Sequence, residues 1–341
     1  MKAARLHNYK EPLQIDEVPI PEPGHGQVLV RVAGAGFCHS DLHILDGEIP
    51  ILPRMPLTLG HENAGTVEAV GPGVEGIAPG QPVAVFGGWG CGSCDSCVSG
   101  DEQVCDRPAW AGLSNLDGGY AEYLLVPAAR HLVPLTSLDP RMAAPLTDAA
   151  LTPYRAVKRA MPFIQPDHPV VVIGVGGLGQ YGIKLLRLLG GAPIIAVDLD
   201  AAKRELACSI GASHAHDARD PGTASRIQEL TRGGASAVFD FVGSDATLAL
   251  ALGTTRSGGK VTQIGLAGGE ARLRVLQNTR FEVTFEATIW GNIKELREVI
   301  ALAESGLLTA IDVEFAPLDQ VNDVAARLKR GEVKGRVVIT P

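Results

Sequence analysis

Up to about residue 130, the chain alternates apolar and polar positions in short runs that glycine and proline interrupt. Alternation with a period of two predicts strands with one buried face, and the interruptions predict turns. The clearest runs are QVLVRV (27–32), GTVEAV (65–70), QPVAVF (81–86) and YAEYLLV (120–126). Residues 1–150 are therefore predicted to form a β-rich domain.

The pattern changes after residues 145–160, where helical spacing of apolar residues predicts a connecting helix. Short, wholly apolar strands then alternate with helical segments, as expected for an α/β fold with a parallel sheet. The predicted strands are VVVIG (170–174), PIIAVD (193–198), SAVFDF (236–241) and KVTQIG (260–265). We assign residues 151–285 to this second domain. The segment 286–341, with helices at 292–306 and 318–331 and a strand at 335–340, is predicted to return partly to the first domain.

Three glycines at the start of the second domain form a G-x-G-x-x-G frame between a strand and an amphipathic helix: Gly174, Gly176 and Gly179. In this context the frame is typical of a Rossmann fold, in which the backbone approaches a dinucleotide pyrophosphate at the helix N-terminus. Asp198 ends the next strand 19 residues after Gly179, where a carboxylate accepts from the adenosine ribose. Its alternative role is a helix N-cap, although Asp200 is better placed for that.

Composition excludes some classes of partner. The 341 residues carry a formal net charge of −8 and no block of basic residues, so we expect no nucleic-acid partner. Neither the N-terminus nor any later stretch has the apolar length of a signal peptide or a membrane span, so a cytoplasmic location is expected. In that compartment the six cysteines are predicted to bind metal or react, rather than to pair.

Four of the cysteines fall in one segment with the spacing C-x2-C-x2-C-x7-C: Cys91, Cys94, Cys97 and Cys105. Four thiolates fill the shell of a tetrahedral zinc and leave no place for substrate, so the predicted zinc is structural. An iron–sulfur cluster also uses four cysteines, but this spacing is not the bacterial ferredoxin run. Of the remaining two, Cys208 is predicted to be a buried core thiol, and Cys38 lies in GFCHSDLH among other metal-binding residue types.

The motifs GFCHSDLH, LTLGHENAGTV, the four-cysteine segment, LTDAALTPYRA, VIGVGGLG, AVDLD and GRVV occur in this order along essentially the whole chain. In this the sequence resembles the zinc-dependent medium-chain alcohol dehydrogenases, and most of all the bacterial NAD-dependent secondary alcohol dehydrogenases. The resemblance implies a GroES-like catalytic domain, a Rossmann domain, NAD and two zinc ions per chain. It also implies reversible oxidation of small alcohols to ketones or aldehydes, and a homodimer or homotetramer without membrane association.

The same resemblance implies which residues bind the catalytic zinc. Cys38 and His61 match two ligands, and Asp148 stands where many relatives have a cysteine. A carboxylate is an accepted zinc ligand with the same charge as a thiolate, so the substitution is chemically mild. Glu62 is implied to lie beside these ligands, either as a residue that contacts them without binding the metal or as an exchangeable ligand. Asp148 could alternatively cap the helix that follows it.

Further roles are carried over from the family in the same way. Ser40 and His43 are implied to move the alcohol proton, and Asp41 to orient His61. The implied cofactor contacts are His39, Thr152, Gly174, Gly176, Gly177, Leu178, Gly179, Asp198, Val242, Gly265, Trp290 and Arg336. Medium-sized apolar secondary alcohols are the expected substrates. The candidate pocket residues are Trp89, Trp110, Trp290 and the apolar residues near Leu116. The alternatives are a polyol or threonine-type zinc dehydrogenase of the same fold, and a reductase-like binding protein without catalysis.

Overall fold

The computed structural model of the protein describes residues 1–49, 52–271 and 280–341. It divides into two compact units. The first contains Met1–Leu151 and Trp290–Pro341, and the second contains Thr152–Ile289. None of the helices in the described part of the chain has the length and apolar character needed to cross a membrane.

The strands are β1 Lys2–Leu6, β2 Gln14–Glu17, β3 Val28–Phe37, β4 Leu57–Thr58, β5 Glu62–Val70, β6 Pro82–Val85, β7 Tyr123–Val126, β8 Leu132–Pro134, β9 Val170–Ile173, β10 Ile194–Asp198, β11 His214–Asp217, β12 Ala235–Asp240, β13 Thr255–Gln263, β14 Thr284–Ala287, β15 Val313–Pro317 and β16 Arg336–Thr340. Most strands have six residues or fewer, whereas β3, β5 and β13 have nine or ten.

The helices connect and flank these strands. They are α1 His39–Leu45, α2 Asp95–Val98, α3 Pro140–Ala143, α4 Leu151–Ala160, α5 Gly177–Leu185, α6 Ala201–Ser209, α7 Thr223–Leu230, α8 Asp245–Thr254, α9 Ile293–Glu304 and α10 Val321–Lys329. The predicted helix over 145–160 begins only at Leu151, because residues 144–147 form a separate 3-10 turn. Asp148 lies between the two elements.

The first unit is built on a seven-stranded sheet in the order β15-β16-β3-β5-β6-β8, with β7 paired to β3, and a three-stranded sheet in the order β2-β1-β4. Its core contains the inward-facing residues of these strands, among them Val30, Phe37 and Val85. Strand β16 pairs with β3, and β3 with β5, so the ends of three strands meet near Phe37. This meeting point holds the candidate active site.

The second unit contains a parallel six-stranded sheet in the order β11-β10-β9-β12-β13-β14. Strands β9 and β12 are buried along their whole length, which explains their continuous apolar sequence. Strands β10 and β11 follow on one side of β9, and strands β12, β13 and β14 follow on its other side. Doubly wound folds bind their ligands at such a reversal of the strand order, here between β9 and β12. The predicted α/β class, with a β-rich domain and a Rossmann domain, is confirmed.

Candidate active site and metal centres

The four clustered cysteines form one compact group in the first unit, around helix α2. Their sulfur atoms lie 4.0 Å apart for Cys91 and Cys97 and 3.7 Å apart for Cys94 and Cys105. Four sulfurs bound at about 2.3 Å to a tetrahedral metal would lie about 3.8 Å from one another. The group therefore fits zinc closely, and its four thiols leave no ligand position for a substrate.

The Glu102 carboxylate and the groups that bind it support the segment that carries the cysteines. Glu102 lies at the base of the cysteine group and receives hydrogen bonds from Arg130 at 3.0 Å and from the Gly90 backbone N–H at 3.0 Å. His131 lies 3.0 Å from the same carboxylate. Burial opposes ionisation of Glu102, but His131 and Arg130 together lower its pKa to about 2. The carboxylate is therefore a permanent anchor for the loop that carries the cysteines.

Replacing Cys97 with serine should lower the stability of the protein more than the activity of its folded fraction. A structural metal contributes folding free energy directly, so we expect the Tm to fall by at least about 10 °C. The measurements are calorimetry, zinc content and kcat per folded molecule. Cys208→Ser is the matched control, because Cys208 is exposed and outside the cysteine group. A stable but inactive Cys97→Ser variant would reverse the assignment of the two metals.

The exposure of Cys208 also corrects a prediction, since the sequence pattern of its helix suggested a core position. The thiol lies near the C-terminal end of α6, on the face turned away from the core. Helical periodicity could not distinguish the two faces here, because alanine occurs on both: Ala201 and Ala202 are exposed and Ala207 is buried.

A second group of metal-binding side chains lies where β16, β3 and β5 meet: Cys38, His61, Glu62 and Asp148, all buried. Cys38 follows β3 directly, and His61 precedes β5. Gly36 lies opposite Glu62 in the β3–β5 pairing, and a Cβ at Gly36 would lie 1.9 Å from the Glu62 carboxylate. Glycine at this position therefore makes room for the acidic side chain.

The donor atoms of this second group converge on one point. The Oδ2 atom of Asp148 lies 3.8 Å from Cys38 Sγ and 3.6 Å from His61 Nε2. These separations match a tetrahedral zinc with one sulfur, one nitrogen and one oxygen ligand. The prediction of two zinc sites per chain is confirmed at the level of these two ligand groups. The individual roles of the residues stay predictions.

Charge and hydrogen bonding in the second group indicate that a cation belongs there. Burial raises the pKa of the Glu62 carboxyl well above its usual range, against the opposing effect of Arg336. Burial disfavours the charged form of His61, but the Asp41 and Asp148 carboxylates and Cys38 together outweigh this effect and raise the pKa of His61. The Nδ1 atom of His61 and the Oε2 atom of Glu62 have no hydrogen-bond partner among the described residues. A divalent metal would replace the protons that this buried acidic group otherwise holds.

Arg336 lies in this group as well, at the start of β16. Its guanidinium forms a buried ion pair with Glu62 and lies 3.9 Å from Asp148 Oδ2. Burial disfavours the charged guanidinium, but Glu62, Cys38 and Asp148 together more than compensate and raise the pKa of Arg336. Its contact with the cofactor pyrophosphate stays a prediction, and its ion pair with Glu62 was not predicted from the sequence. The 274 residues between the two left no local signal.

Asp148 is not the N-cap of the following helix, because α4 begins three residues later at Leu151. Replacing Asp148 with asparagine should therefore weaken catalytic zinc binding by at least about 100-fold, since the amide loses the charge and much of the donor strength. The cysteine group should keep its zinc. Elemental analysis after dialysis against a chelator measures this, as one zinc per chain instead of two.

Asp139→Asn is the matched control for Asp148→Asn. Asp139 caps α3 and pairs with Arg141 at the surface of the same unit, and asparagine is an equally good N-cap. Two zinc ions per chain and an unchanged rate in Asp148→Asn would remove Asp148 from the metal site.

The remaining predicted catalytic residues lie on α1. Ser40 Oγ lies 3.7 Å from Cys38 Sγ, beside the metal-binding group. His43, one turn further along, has its Nδ1 atom 2.6 Å from Glu48 Oε2. His39, predicted to contact the cofactor, is exposed at the start of the helix. The structure thus brings Ser40 close to the metal ligands and gives His43 an acidic partner that sequence reasoning missed.

The tryptophans occupy two different environments. Trp290 is buried and packs edge-on against the His61 ring at 5.8 Å, and its indole N–H donates to Thr147 O at 3.1 Å. Trp110 packs on Trp290 at 6.1 Å. Trp89 instead lies in the core of the first unit, 6.1 Å from the His131 ring. Full burial in the core removes Trp89 from the predicted substrate pocket.

The glycine frame of the second unit has the geometry of a dinucleotide loop. Gly174 has a φ of +86°, and a Cβ there would lie 2.6 Å from Val242. A Cβ at Gly179 would lie 1.9 Å from Gly174 O, so this glycine allows the helix to pack on the loop. A Cβ at Gly176 would meet nothing within 4 Å, so the N-terminus of α5 is open to a ligand. These are the three different reasons for glycine in such a frame.

The second unit also contains other predicted cofactor residues. Val242 and Gly265 follow the carboxyl ends of β12 and β13 and lie in contact with one another. Gly177 and Leu178 form the first turn of α5. Thr152 is buried in α4.

Asp198 lies at the carboxyl end of β10 and holds the glycine loop in place. Its Oδ2 atom accepts from Val175 N at 2.7 Å, and its Oδ1 atom accepts from Asp200 N at 2.9 Å. The carboxylate of Asp200 accepts from Ala202 N at 2.8 Å, which confirms that Asp200 is the N-cap of α6. Asp198 is therefore left at the strand end, as recognition of a ribose requires.

The fold and the two metal-binding groups define a zinc-dependent dehydrogenase. Residues 24–137 match the alcohol dehydrogenase GroES-like domain, and residues 177–305 match the zinc-binding dehydrogenase family. The NAD-dependent alcohol dehydrogenase of Sulfurisphaera tokodaii is 37% identical over 350 residues, with 100% of both chains covered. The chain belongs to the zinc-type alcohol dehydrogenase family.

Two further relatives show the range of this family. The alcohol dehydrogenase of Aeropyrum pernix has a crystal structure that superposes with a TM-score of 0.91, at 41% identity and with 100% of both chains covered. The D-arabinose 1-dehydrogenase (NADP(+)) of Saccharolobus solfataricus is 36% identical over 345 residues, covering 100% of this chain and 97% of that protein. Relatives of similar identity therefore differ in both substrate and cofactor.

Proposed function

We propose that the protein is an NAD-dependent zinc alcohol dehydrogenase that interconverts small secondary alcohols and ketones. The observation that carries the proposal is the buried convergence of Cys38, His61 and Asp148, with Glu62 beside them. Three protein ligands leave a tetrahedral zinc one open position, which a catalytic site requires. The family relationship supports the same conclusion.

The chain's own residues have distinct tasks in this reaction. Zinc held by Cys38, His61 and Asp148 would supply Lewis acidity toward the substrate oxygen, and NAD would accept or return the hydride. Two anionic ligands and one neutral imidazole balance the charge of Zn²⁺. The Glu62–Arg336 ion pair adds no net charge to the site. A carboxylate oxygen of Glu62 lies within 4.8 Å of the other three donor atoms, which is close enough for Glu62 to serve as an exchangeable ligand.

Proton transfer is assigned to residues of α1. Ser40 lies beside the Cys38 ligand, where a hydroxyl can receive the alcohol proton and pass it on. His43 is partly exposed, and its Nδ1 atom is held by Glu48, which leaves Nε2 to exchange a proton with water.

The proposed substrates are apolar because two aromatic side chains lie one after the other beside His61. Trp290 and Trp110 form an edge-to-face pair that continues from the His61 ring. Such a wall favours alkyl or aryl groups next to the reacting carbon and offers few partners for several hydroxyls. Aldose oxidation is the second candidate, and the D-arabinose dehydrogenase relative is the observation in its favour.

A substrate panel tests the proposed function. With NAD and zinc-loaded protein, 2-butanol and 1-phenylethanol should give higher kcat/KM values than D-arabinose or L-threonine. The zinc content should be two per chain. A preference for D-arabinose would select the aldose alternative. Two zinc ions with no turnover of any alcohol, or one zinc alone, would favour a binding protein without catalysis.

We also propose that the protein forms a homodimer or homotetramer in the cytoplasm. Strand β14 is the last strand of its sheet in the described part of the chain. Phe285 in this strand is 45% exposed, and Phe281 just before it is 78% exposed. An exposed edge with large apolar side chains favours pairing with a second copy. Six unpaired cysteines support a reducing compartment. Light scattering after size-exclusion chromatography measures the oligomer.

A further inference from the structure

A buried carboxylate stands behind the zinc ligand His61. Asp41 is 0% exposed, and its Oδ1 atom lies 3.4 Å from His61 Nδ1. Its other oxygen, Oδ2, accepts from Cys38 N at 2.9 Å and from the Tyr120 hydroxyl at 2.8 Å. Both donors to Oδ2 therefore leave Oδ1 as the oxygen that faces the imidazole.

Tyr120 is fixed on every side. It is 0% exposed, and its ring stacks on Phe37 with a centroid distance of 5.5 Å and an interplanar angle of 7°. Its backbone N–H donates to Leu59 O at 3.0 Å, and a Cβ at Gly60 would lie 2.7 Å from its ring. The tyrosine thus touches the residue before Cys38 and the residue before His61.

We propose that Tyr120 is a positioning residue of the catalytic zinc site, whose hydroxyl holds Asp41 so that Asp41 orients the His61 ring. The inference rests on the proposed function, because it takes the ion at His61 to be zinc. Tyr120 lies 79 residues from Asp41 in the chain and contributes no metal ligand of its own.

The hydrogen-bond geometry supports this role. The phenol has one hydrogen and two acceptors within reach, Asp41 Oδ2 at 2.8 Å and Gly36 O at 3.1 Å. The shorter contact to a charged acceptor is the stronger one. Burial, reinforced by the Asp41 charge, raises the pKa of Tyr120, so the hydroxyl remains a donor throughout the working pH range. Without it, Oδ2 keeps a single donor and the carboxylate can rotate away from His61.

Tyr120→Phe tests the proposal because it keeps the ring stack and removes only the hydroxyl. Mutation of a residue that orients a metal ligand typically lowers metal affinity by about 10- to 100-fold. We therefore expect zinc release from this site to a colorimetric chelator to be about 10-fold faster. The absorption spectrum of the cobalt(II)-substituted protein should also shift, because the ligand field changes. If Tyr120 contributed only packing, the variant would change neither the rate of zinc release nor the cobalt(II) spectrum.

A double-mutant cycle distinguishes action through Asp41 from general loosening. Asp41→Asn should accelerate zinc release, and adding Tyr120→Phe should change the rate by less than about 2-fold more, since the two act in series. Tyr181→Phe is the control, because Tyr181 is equally buried but lies in the second unit. It should leave zinc release unchanged.

Two results would overturn the proposal: an unchanged release rate and cobalt spectrum in Tyr120→Phe, or a full additional effect in the Asp41→Asn background. If Tyr120→Phe does not fold, 3-fluorotyrosine at position 120 keeps the shape while strengthening the donor, and must then alter zinc release. A wild-type protein with a single zinc per chain would contradict the proposed function itself, before any variant is compared.

Discussion

Replacing His61 with alanine is expected to lower kcat/KM by at least about 10⁴-fold, which corresponds to about 5.4 kcal/mol. The variant loses one of the three proposed zinc ligands in the buried metal group. We therefore expect it to lose the zinc ion, and with it the open position at which the substrate oxygen would bind. Zinc content should fall from two ions per chain to one. The measurements are steady-state kinetics with NAD and 2-butanol, and elemental analysis.

The His61→Ala protein should remain folded. The substitution leaves the four clustered cysteines and the loop that carries them unchanged. Asp41 also keeps its hydrogen bonds from Cys38 N and the Tyr120 hydroxyl. Circular dichroism and a cooperative thermal transition check this. His25→Ala is the control, because His25 is exposed in the same unit and belongs to neither metal-binding group.

Cys38→Ala should produce the same loss, and the double variant should be little worse than either single one. Ligands of one metal act as a unit, so their effects do not add. A nearly normal rate in metal-depleted Cys38→Ala would exclude zinc catalysis at this group.

The second large effect concerns cofactor choice, where the wild-type protein is expected to prefer NAD over NADP by ~10- to ~1000-fold. Two unit charges ~4 Å apart repel by roughly 1 kcal/mol in water and about 4 kcal/mol at an effective dielectric near 20, and each 1.36 kcal/mol is about tenfold. Asp198 would present such a charge to the 2′-phosphate of NADP. The comparison of kcat/KM for the two cofactors measures the preference.

Asp198→Gly should move the ratio of kcat/KM values toward NADP by at least about 10-fold. The variant removes the repulsion, and with it the ribose contacts of NAD and the bond to Val175 N that holds the glycine loop. Two arginines near the strand end could then meet the phosphate. Arg204 and Arg219 both donate to Leu199 O, next to Asp198.

Asp200→Asn is the matched control for this cofactor test. It changes the same functional group two residues away, and asparagine retains the N-cap of α6. Its cofactor ratio should match that of the wild type. A wild-type preference for NADP, or an unchanged ratio in Asp198→Gly, would show that Asp198 does not recognise the ribose.

Features set by neighbouring residues were predictable from the sequence. The four clustered cysteines lie within fifteen positions, so their spacing alone predicted a common metal, and their sulfurs do converge. The apolar runs of β9, β10, β12 and β13 predicted buried parallel strands because both faces of such strands are covered. Strand β11, HAHD, was missed, because a polar edge strand lacks that pattern.

The sequence by itself determined the two domain types, the cysteine group and the glycine loop, because short-range spacing and periodicity specify each of them. The second metal group could be assigned only by family resemblance, since Cys38 and Asp148 lie 110 residues apart. Tertiary structure alone decided that Arg336 pairs with Glu62, and that Tyr120 holds Asp41 behind His61. These contacts depend on the pairing of β16, β3 and β5 and on the packing of residues 118–120 against the turn before His61. Contacts between residues far apart in the chain do not alter the local spacing or periodicity of the sequence. They could therefore be identified only from the tertiary structure.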